Sequence, residues 1–499
     1  MKKIVVVAIF LMVSLNLQVH LARSEIKGIA GAAEAAAHKD DDDADADASS
    51  FGLGSDDTAM VLLHNGYVYT PRFLGKAHVL LAGGSIAAIF KEGDFPLANF
   101  SGLPCLKTID VEEGLVVPGL IDMHVHVTGG GGEMGPASRT PEGKISELLE
   151  AGITTVVGIL GTDCVSRSLE NLRSKVAALQ DEGITAWMWS GCYRVPSPTL
   201  TGSLVRDMQL IQEVIGAGEI AISDHRSSWP STQELLGLVT DARVGGMLSG
   251  KVGLVHFHTG SAASRLDPLW AVMEASKGAI PITQMLPTHI SGRGPGLLQA
   301  AEEWVAQGGR VDFTADQDGE TQSFNALMDW GKRFGNAALT GVSLSSDGFG
   351  SLPKFNSKGE LEEYAVASPS ANLDTIRRLV LQGGWKLEDA LVFSTTNPAS
   401  FLAFKNKGML KVGGDADVVV LNAQTLQLQY VIARGKVLKT PEWTYSGMFG
   451  KQKLRTASSS RQPVEHCRYD TCNNDDDNDV WVETTCKLTN PEAGTRCSS

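Results

Sequence analysis

A (β/α)8 barrel flanked by a small β-sandwich is the fold class this sequence predicts, and three observations predict it. Short apolar segments repeatedly end in polar groups, spaced at about one βα unit each. The first of these segments closes on a His-x-His pair. Strand-like alternation appears both before and after the repeating region, which places a second, smaller sheet at the two ends of the chain.

The first barrel strand is read from Pro118-Gly119-Leu120-Ile121-Asp122-Met123-His124-Val125-His126, followed by Gly129 to Gly132 and Glu133. In a strand, side chains i and i+2 share a face, so both imidazoles point at one spot. That is half of a metal site, needing one or two further His or carboxylate ligands. An isolated His-x-His is as readily chance, but this pair heads a series. Thr154 to Leu160 runs into Gly161-Thr162-Asp163, Thr185 to Trp189 into Gly191-Cys192-Tyr193, and Glu219 to Ile222 into Ser223-Asp224-His225-Arg226. Leu254 to Phe257 ends at His258, Met285 to Pro287 at Thr288-His289, Val311 to Phe313 at Thr314-Ala315-Asp316, and Val342 to Leu344 at Ser345-Ser346-Asp347-Gly348. Helices are predicted between them at Ser168 to Asp181, Thr232 to Asp241, Pro268 to Ser276, Gly296 to Gly308 and Thr321 to Phe334. Polar groups at the carboxyl ends of barrel strands read as catalytic. A doubly wound open sheet is the alternative, but it would not gather residues from every strand around one axis.

Outside the barrel, assigned to residues 116–407, Val61 to Ile89 alternates as strands do, with turns at Asn65-Gly66 and Gly83-Gly84. A matching set, Asp417 to Leu421 and Leu428 to Val437 with Arg434-Gly435, follows the barrel. The two pieces, residues 59–115 and 408–440, are predicted to pair into one β-sandwich drawn from both ends of the chain.

The stretches GLIDMHVHVTGGGGEMGPASRTPE from Gly119, TTVVGILGTD from Thr154, AISDHRSS from Ala221, FHTG from Phe257, MLPTH from Met285, SLSSDGFGS from Ser343 and DADVVVLN from Asp415 carry a resemblance. In order and spacing they resemble the amidohydrolase superfamily and, within it, the bacterial isoaspartyl dipeptidases, from about residue 60 to residue 440. The resemblance implies a (β/α)8 barrel of the amidohydrolase type and two divalent metal ions, usually zinc. His124, His126 and Asp347 would hold one ion, and His258 and His289 the other. The family bridges its metals with a carboxylated lysine, and here the bridging position falls on Glu219. Lys251 is the nearest lysine but matches a different place in the pattern. A glutamate also offers two oxygens about 2.2 Å apart, one for each metal, and needs no carbon dioxide. The competing reading of Glu219 is a degenerate site that has lost one metal. His225 and His256 lie next to site residues, and His256 is expected to pack behind His258 rather than bind metal.

The mechanism implied is attack by a hydroxide shared between two ions about 3.5 to 4 Å apart, which lower the pKa of a bound water toward neutrality. Asp347 would take the proton and pass it to the leaving amine, while the Tyr193 hydroxyl would stabilise the oxyanion. An isoaspartyl dipeptide carries an α-ammonium, which suits Glu133, and carboxylates, which suit the fork-shaped donor of Arg226. Thr162 and Ser351 match positions that donate further hydrogen bonds in the family. A second arginine is expected just after the MLPTH histidine; Arg293 is the candidate, displaced by one residue.

At 499 residues the chain can bury a large core and hold more than one domain. Its formal charge of −14 argues against nucleic acid or an anionic membrane as partner, although much of it sits in Asp40 to Asp47 and Asp475 to Asp479. Met1-Lys2-Lys3, the apolar run Ile4 to Leu15 and Ala22-Arg23-Ser24 form the three regions of a secretory signal, residues 1–24. The alternative, an uncleaved anchor, is opposed by Asn16, Gln18 and His20, which interrupt the run short of the about 20 residues needed to span. Residues 25–58 read as an acidic low-complexity linker, and 441–499 as a polar tail. Cys467, Cys472, Cys486 and Cys497 crowd that tail and suggest two disulfides, with three possible pairings, in an oxidising secreted, lumenal or periplasmic setting. A zinc knot there lacks the Cys-x2-Cys spacing. Cys105, Cys164 and Cys192 are scattered through the core, and Asn99-Phe100-Ser101 is a glycosylation sequon.

The leading expectation is therefore a secreted metallopeptidase for β-aspartyl dipeptides, taking a small dipeptide as partner and, as its relatives do, forming a homo-oligomer. A dihydropyrimidinase-like enzyme acting on cyclic amides or N-acyl amino acids is the second reading, and it would leave the charges of Glu133 and Arg226 without partners. A catalytically silent barrel with a binding role is the third. Glu219 and the displaced arginine keep it open, while the retention of His258, His289 and Asp347 opposes it.

Overall fold

The computed structural model describes residues 60–94, 106–336, 339–355 and 361–448. The segments expected to form a signal sequence and an acidic linker, together with Cys105, the Asn99 sequon and the four tail cysteines, lie outside the described residues.

Eight parallel strands form the barrel: Leu120–Val125, Ile153–Gly158, Thr185–Ser190, Val214–Ile222, Leu254–Thr259, Met285–Thr288, Val311–Thr314 and Val342–Ser345. The first six pair in sequence order, and the last two pair with each other. The amide of Ile290 donates to the Asp312 carbonyl (3.4 Å) between strands six and seven. The amide of His126 donates to the Gly348 carbonyl (2.9 Å), joining the eighth strand to the first. Nearly every residue of these strands is buried, as parallel strands under a layer of helices must be. Asp122 stitches the closure, accepting from the amides of His124 (3.2 Å) and Ser346 (3.2 Å) and from Asn372 Nδ2 (3.1 Å). Its burial pushes that carboxyl up to about 7.

The expected helices are present at Leu169–Asp181, Thr232–Ser249, Asp267–Ser276, Pro295–Ala306 and Gln322–Phe334. Ser168 caps the first by accepting from the Asn171 amide, and Ser231 with Glu234 forms a capping box on the second. That second helix runs well past the predicted end at Asp241. Its Gly245 and Gly246 lie where a Cβ would meet Met208 Sδ at 2.8 Å and Gly253 Cα at 2.8 Å. The helix Ala371–Leu381 and the hairpin Ser351–Phe355 with Leu361–Val366 were not predicted. A further correction concerns Cys164 and Cys192. Read as scattered through the core, they form a disulfide joining the loops after strands two and three, with Cα atoms 6.0 Å apart.

The second sheet is indeed built from both ends. Leu115–Pro118 pairs antiparallel with Val418–Leu421, aligning Val116 with Val420, and eight of the sheet's nine strands follow one hydrogen-bonded path through this junction, the ninth, Leu106–Asp110, pairing with Met60–Tyr69. Val61, Leu63, Val79, Leu81, Val116, Val418, Val420 and Ile432 share its core. The sheet extends past the expected end at residue 440, because Trp443–Thr444 still pairs with Lys436–Thr440. Lys407 pins the sheet to the barrel: its buried ammonium reaches Asp417 (2.5 Å), Asp415 (2.8 Å) and the Thr185 hydroxyl of the third barrel strand (2.9 Å). Removing one partner of a buried pair strands the other's charge. Lys407→Ala is expected to lower unfolding stability in urea by about 3–5 kcal/mol, read from the equilibrium transition followed by circular dichroism.

Candidate metal centre and substrate pocket

The carboxyl ends of strands one, four, five, six and eight deliver six side chains to one buried cluster. His124 is the last but one residue of the first strand, with His126 just beyond its end, Glu219 sits within the fourth and His258 within the fifth. His289 and Asp347 follow strands six and eight at left-handed backbone angles, φ 62° and 54°. Such angles cost a non-glycine residue roughly 1–3 kcal/mol and turn these side chains inward off the strand direction. Glycine serves close approach at Gly350, where a Cβ would lie 2.8 Å from Asp347 Oδ1 and 3.1 Å from His126 Cδ2.

The atoms fall into two groups that share Glu219. Its Oε1 lies 2.8 Å from His258 Nδ1 and 3.0 Å from His289 Nε2. Its Oε2 lies 3.4 Å from His124 Nε2, which is 3.4 Å from Asp347 Oδ1, and Asp347 Oδ1 is 3.1 Å from His126 Nε2. His124 Nε2, Glu219 Oε2 and Asp347 Oδ1 are buried without a hydrogen-bond partner, an arrangement that costs free energy unless something binds there. His124, His126 and Glu219 form one set of nearby donor atoms able to hold a metal ion, and Glu219, His258 and His289 form another. A nitrogen and oxygen donor set of this size fits a divalent cation such as zinc.

Electrostatics point the same way. Burial opposes ionisation of Glu219, but His124 and His258 beside it hold its carboxyl well below the usual carboxylate range. Asp347 is likewise held low, burial being outweighed by His124 and His126. Burial disfavours charge on His124, yet Glu219 and Asp347 prevail and raise its pKa to about 10. Burial and the nearby His258 lower His289 to about 3. A divalent cation would compete with the His124 proton for the same oxygens.

Above the cluster opens a cavity of about 580 Å³, bordered by all five predicted substrate residues, Glu133, Thr162, Arg226, Arg293 and Ser351, and by Tyr193. The Tyr193 hydroxyl lies 2.7 Å from His258 Nδ1. Thr162 donates to Glu133 (3.0 Å), and Arg226 Nη1 donates to the same carboxylate oxygen (3.3 Å). Arg293 is held near the rim by the Thr259 carbonyl (3.4 Å). Lys251 is far from this chemistry, its ammonium bound by the carbonyls of Met208, Ile211 and Val214. His225 is exposed beside the pocket, whereas His256 is buried, its Nε2 3.1 Å from His124 Nδ1 and its ring stacked on Trp189.

Sequence reasoning gave no role to three residues found here. Asp224 is buried between Arg226 and His258. Thr314 holds His289 Nδ1 at 2.7 Å. Arg167 donates to the carbonyls of Thr128, Gly130 (2.9 Å) and Thr140 (2.8 Å), shaping the glycine loop before Glu133. Asp224 and Thr314 each stand in the short, largely polar stretch at the end of an apolar run, the one signal that pointed at them.

Comparison with known proteins adds to this geometry. The profile described as Amidohydrolase family matches residues 115–445. A β-aspartyl dipeptidase from Fervidobacterium islandicum AW-1, solved in complex with the β-Asp-Leu dipeptide, is 42% identical, with a TM-score of 0.73 over 79% of this chain and 99% of that one. A second structure of a β-aspartyl dipeptidase from that organism is 41% identical, with a TM-score of 0.70 over 78% and 100%. The dihydropyrimidinase of Brevibacillus agri NCHU1002 shares the fold at 15% identity, with a TM-score of 0.52 over 79% and 100%. An allantoinase of Arabidopsis thaliana is 29% identical over 167 residues, 31% of each chain, so the chain spans about a third of that curated relative. The chain belongs to the amidohydrolase family and, within it, to the β-aspartyl (isoaspartyl) dipeptidases.

Proposed function

We propose that this chain is a metal-dependent dipeptidase that hydrolyses β-aspartyl dipeptides. The observation that carries the reading is the pairing of Glu133 with Arg226, 3.3 Å apart in the cavity beside the buried cluster. An isoaspartyl residue bears an ammonium and a carboxylate on one carbon. That zwitterion matches an anion and a cation standing side by side, whereas a neutral cyclic amide would leave both without new partners. The chain's 42% identity to an enzyme solved with β-Asp-Leu supports the same substrate class.

His124, His126 and Asp347 would hold one divalent ion and His258 and His289 the other, with Glu219 between them. Such ions, when bound, supply polarisation of the carbonyl and acidification of water. The remaining steps belong to side chains. Asp347, ionised at neutral pH, accepts the proton of the attacking water as the C–O bond forms. It returns that proton to the amide nitrogen as the C–N bond breaks. Tyr193, whose burial keeps its hydroxyl protonated, donates to the oxygen that gains charge. Thr162 and Ser351 line the cavity where they can bind the isoaspartyl group, and Arg293 where it can reach the leaving residue's carboxylate. Secretion through the N-terminal signal belongs to the same reading, and the Cys164–Cys192 disulfide supports an oxidising compartment.

The deciding experiment is hydrolysis of β-Asp-Leu beside α-Asp-Leu and dihydrouracil by zinc-loaded protein, with metal counted in the same sample. Selective cleavage of the β-linked peptide is expected; cleavage of dihydrouracil in preference would overturn the reading. Glu219→Ala is expected to lose metal, measured by plasma emission spectrometry, and added bicarbonate to leave wild-type activity unchanged. Full metal content in that variant would remove Glu219 from the bridge. Tyr193→Phe should keep its metal yet lose roughly 10²–10³-fold in kcat, read from steady-state rates on β-Asp-Leu.

A further inference from the structure

Asp224 lies two residues beyond the fourth barrel strand and is buried, although it is neither a member of the metal-ligand cluster nor a wall of the cavity. Its backbone is wedged in place. Ser223 turns the chain at φ 53°, its hydroxyl donating to the Arg265 carbonyl (2.8 Å). Gly260, just past the fifth strand, passes so close that a Cβ there would meet Asp224 Cα at 2.5 Å. From this position one carboxylate serves two partners. Oδ1 accepts from the amide (2.8 Å) and Nε (3.0 Å) of Arg226, and Oδ2 from Arg226 Nη2 (3.0 Å). The same Oδ2 lies 3.0 Å from Nε2 of His258.

The chemistry of each partner follows. A histidine that offers one ring nitrogen to a metal carries its proton on the other, and the acceptor of that proton fixes both tautomer and ring direction. With Nε2–H directed at Asp224, the lone pair of His258 sits on Nδ1, the nitrogen facing Glu219 at 2.8 Å. The arginine is gripped along the edge formed by Nε and Nη2, which leaves Nη1 directed at Glu133 and sets the guanidinium over the Tyr193 ring at 5.2 Å. One buried side chain thus aims both a cluster imidazole and the carboxylate-binding cation.

We propose that Asp224 is a positioning residue that couples the metal centre to the pocket for the substrate's α-carboxylate, by orienting His258 and Arg226 together. The inference rests on the dipeptidase reading for its substrate half and on the cluster geometry alone for its metal half. An asparagine in its place has one acceptor oxygen where two are used, so one of the two partners loses its bond.

The test compares Asp224→Asn with wild type in the full chain. Zinc affinity is read by competition with a chromophoric chelator, and kcat and KM are read for β-Asp-Leu and for the same dipeptide with its isoaspartyl α-carboxylate converted to carboxamide. Zinc affinity is expected to fall roughly 10–100-fold, and the wild-type preference for the free carboxylate to shrink at least about tenfold. Arg226→Gln is the control, losing the preference while retaining wild-type zinc affinity. Wild-type zinc affinity in a folded Asp224→Asn overturns the proposal, whether or not β-Asp-Leu is cleaved. A wild type inert toward β-Asp-Leu while Asp224→Asn loses zinc counts against the dipeptidase reading alone and upholds the coupling at His258. Should Asp224→Asn fail to fold, Asp224→Ser, which keeps one acceptor, is put through the same zinc titration with the same expected and overturning results.

Discussion

A carboxylate with no exposed surface, placed among imidazoles from three strands, sets the terms for everything around it. Taking the Glu219 charge out of water costs several kcal/mol unless opposite charge compensates at short range. His124, His258 and His289 supply that compensation only if each ring points at Glu219, and a ring's direction is set by its strand and by whatever holds its far nitrogen. Those far nitrogens meet His256, Asp224 and Thr314. The barrel register, the left-handed turns at His289 and Asp347 and the second layer of polar groups can all be understood as the means of holding one anion where a cation can join it.

The pocket above repeats the theme with lower stakes. Glu133, Arg226 and Asp224 form an alternating anion–cation–anion row, so the arginine is saturated on one side and shared on the other. A zwitterion entering there exchanges one set of charged hydrogen bonds for another, so the net gain comes from better geometry rather than from new charge. Part of the row is partly exposed and therefore screened, and its contribution to stability is correspondingly small. Under the proposed dipeptidase reading its value would lie in discrimination, because a ligand lacking either charge would leave a donor or acceptor unmet.

Much of this was legible in the sequence because barrels write their chemistry at regular intervals. Each apolar run ended within two residues of a strand end, so His124, His126, His258, His289 and Asp347 could be placed at one rim, while Glu219 was assigned through the family resemblance, which marks the bridging position. Less legible was whatever depends on contacts between distant segments. The helix predicted to end at Asp241 runs on to Ser249, and the close packing of its Gly245 and Gly246 on Met208 and Gly253 is invisible in one dimension. Cys164 and Cys192, 28 residues apart, gave no pairing signal, since only adjacent loops on neighbouring strands bring them together. Asp224 looked like one more polar loop residue, because its two partners, one two residues on in sequence and one on another strand, share it only in the folded chain.

The sheet woven from both ends of the chain has a kinetic side. Val116 cannot meet Val420 until about 300 residues of barrel have been made. At ribosomal rates of about 5–20 residues per second, the Leu115–Pro118 strand keeps one edge unpaired for roughly 15–60 s. Its hydrogen-bonding groups and the valines beside them are then a template for the wrong strand. Whatever receives this chain as it emerges must shield that edge or keep the chain extended, and a truncation that removes the last strands would leave the edge open permanently.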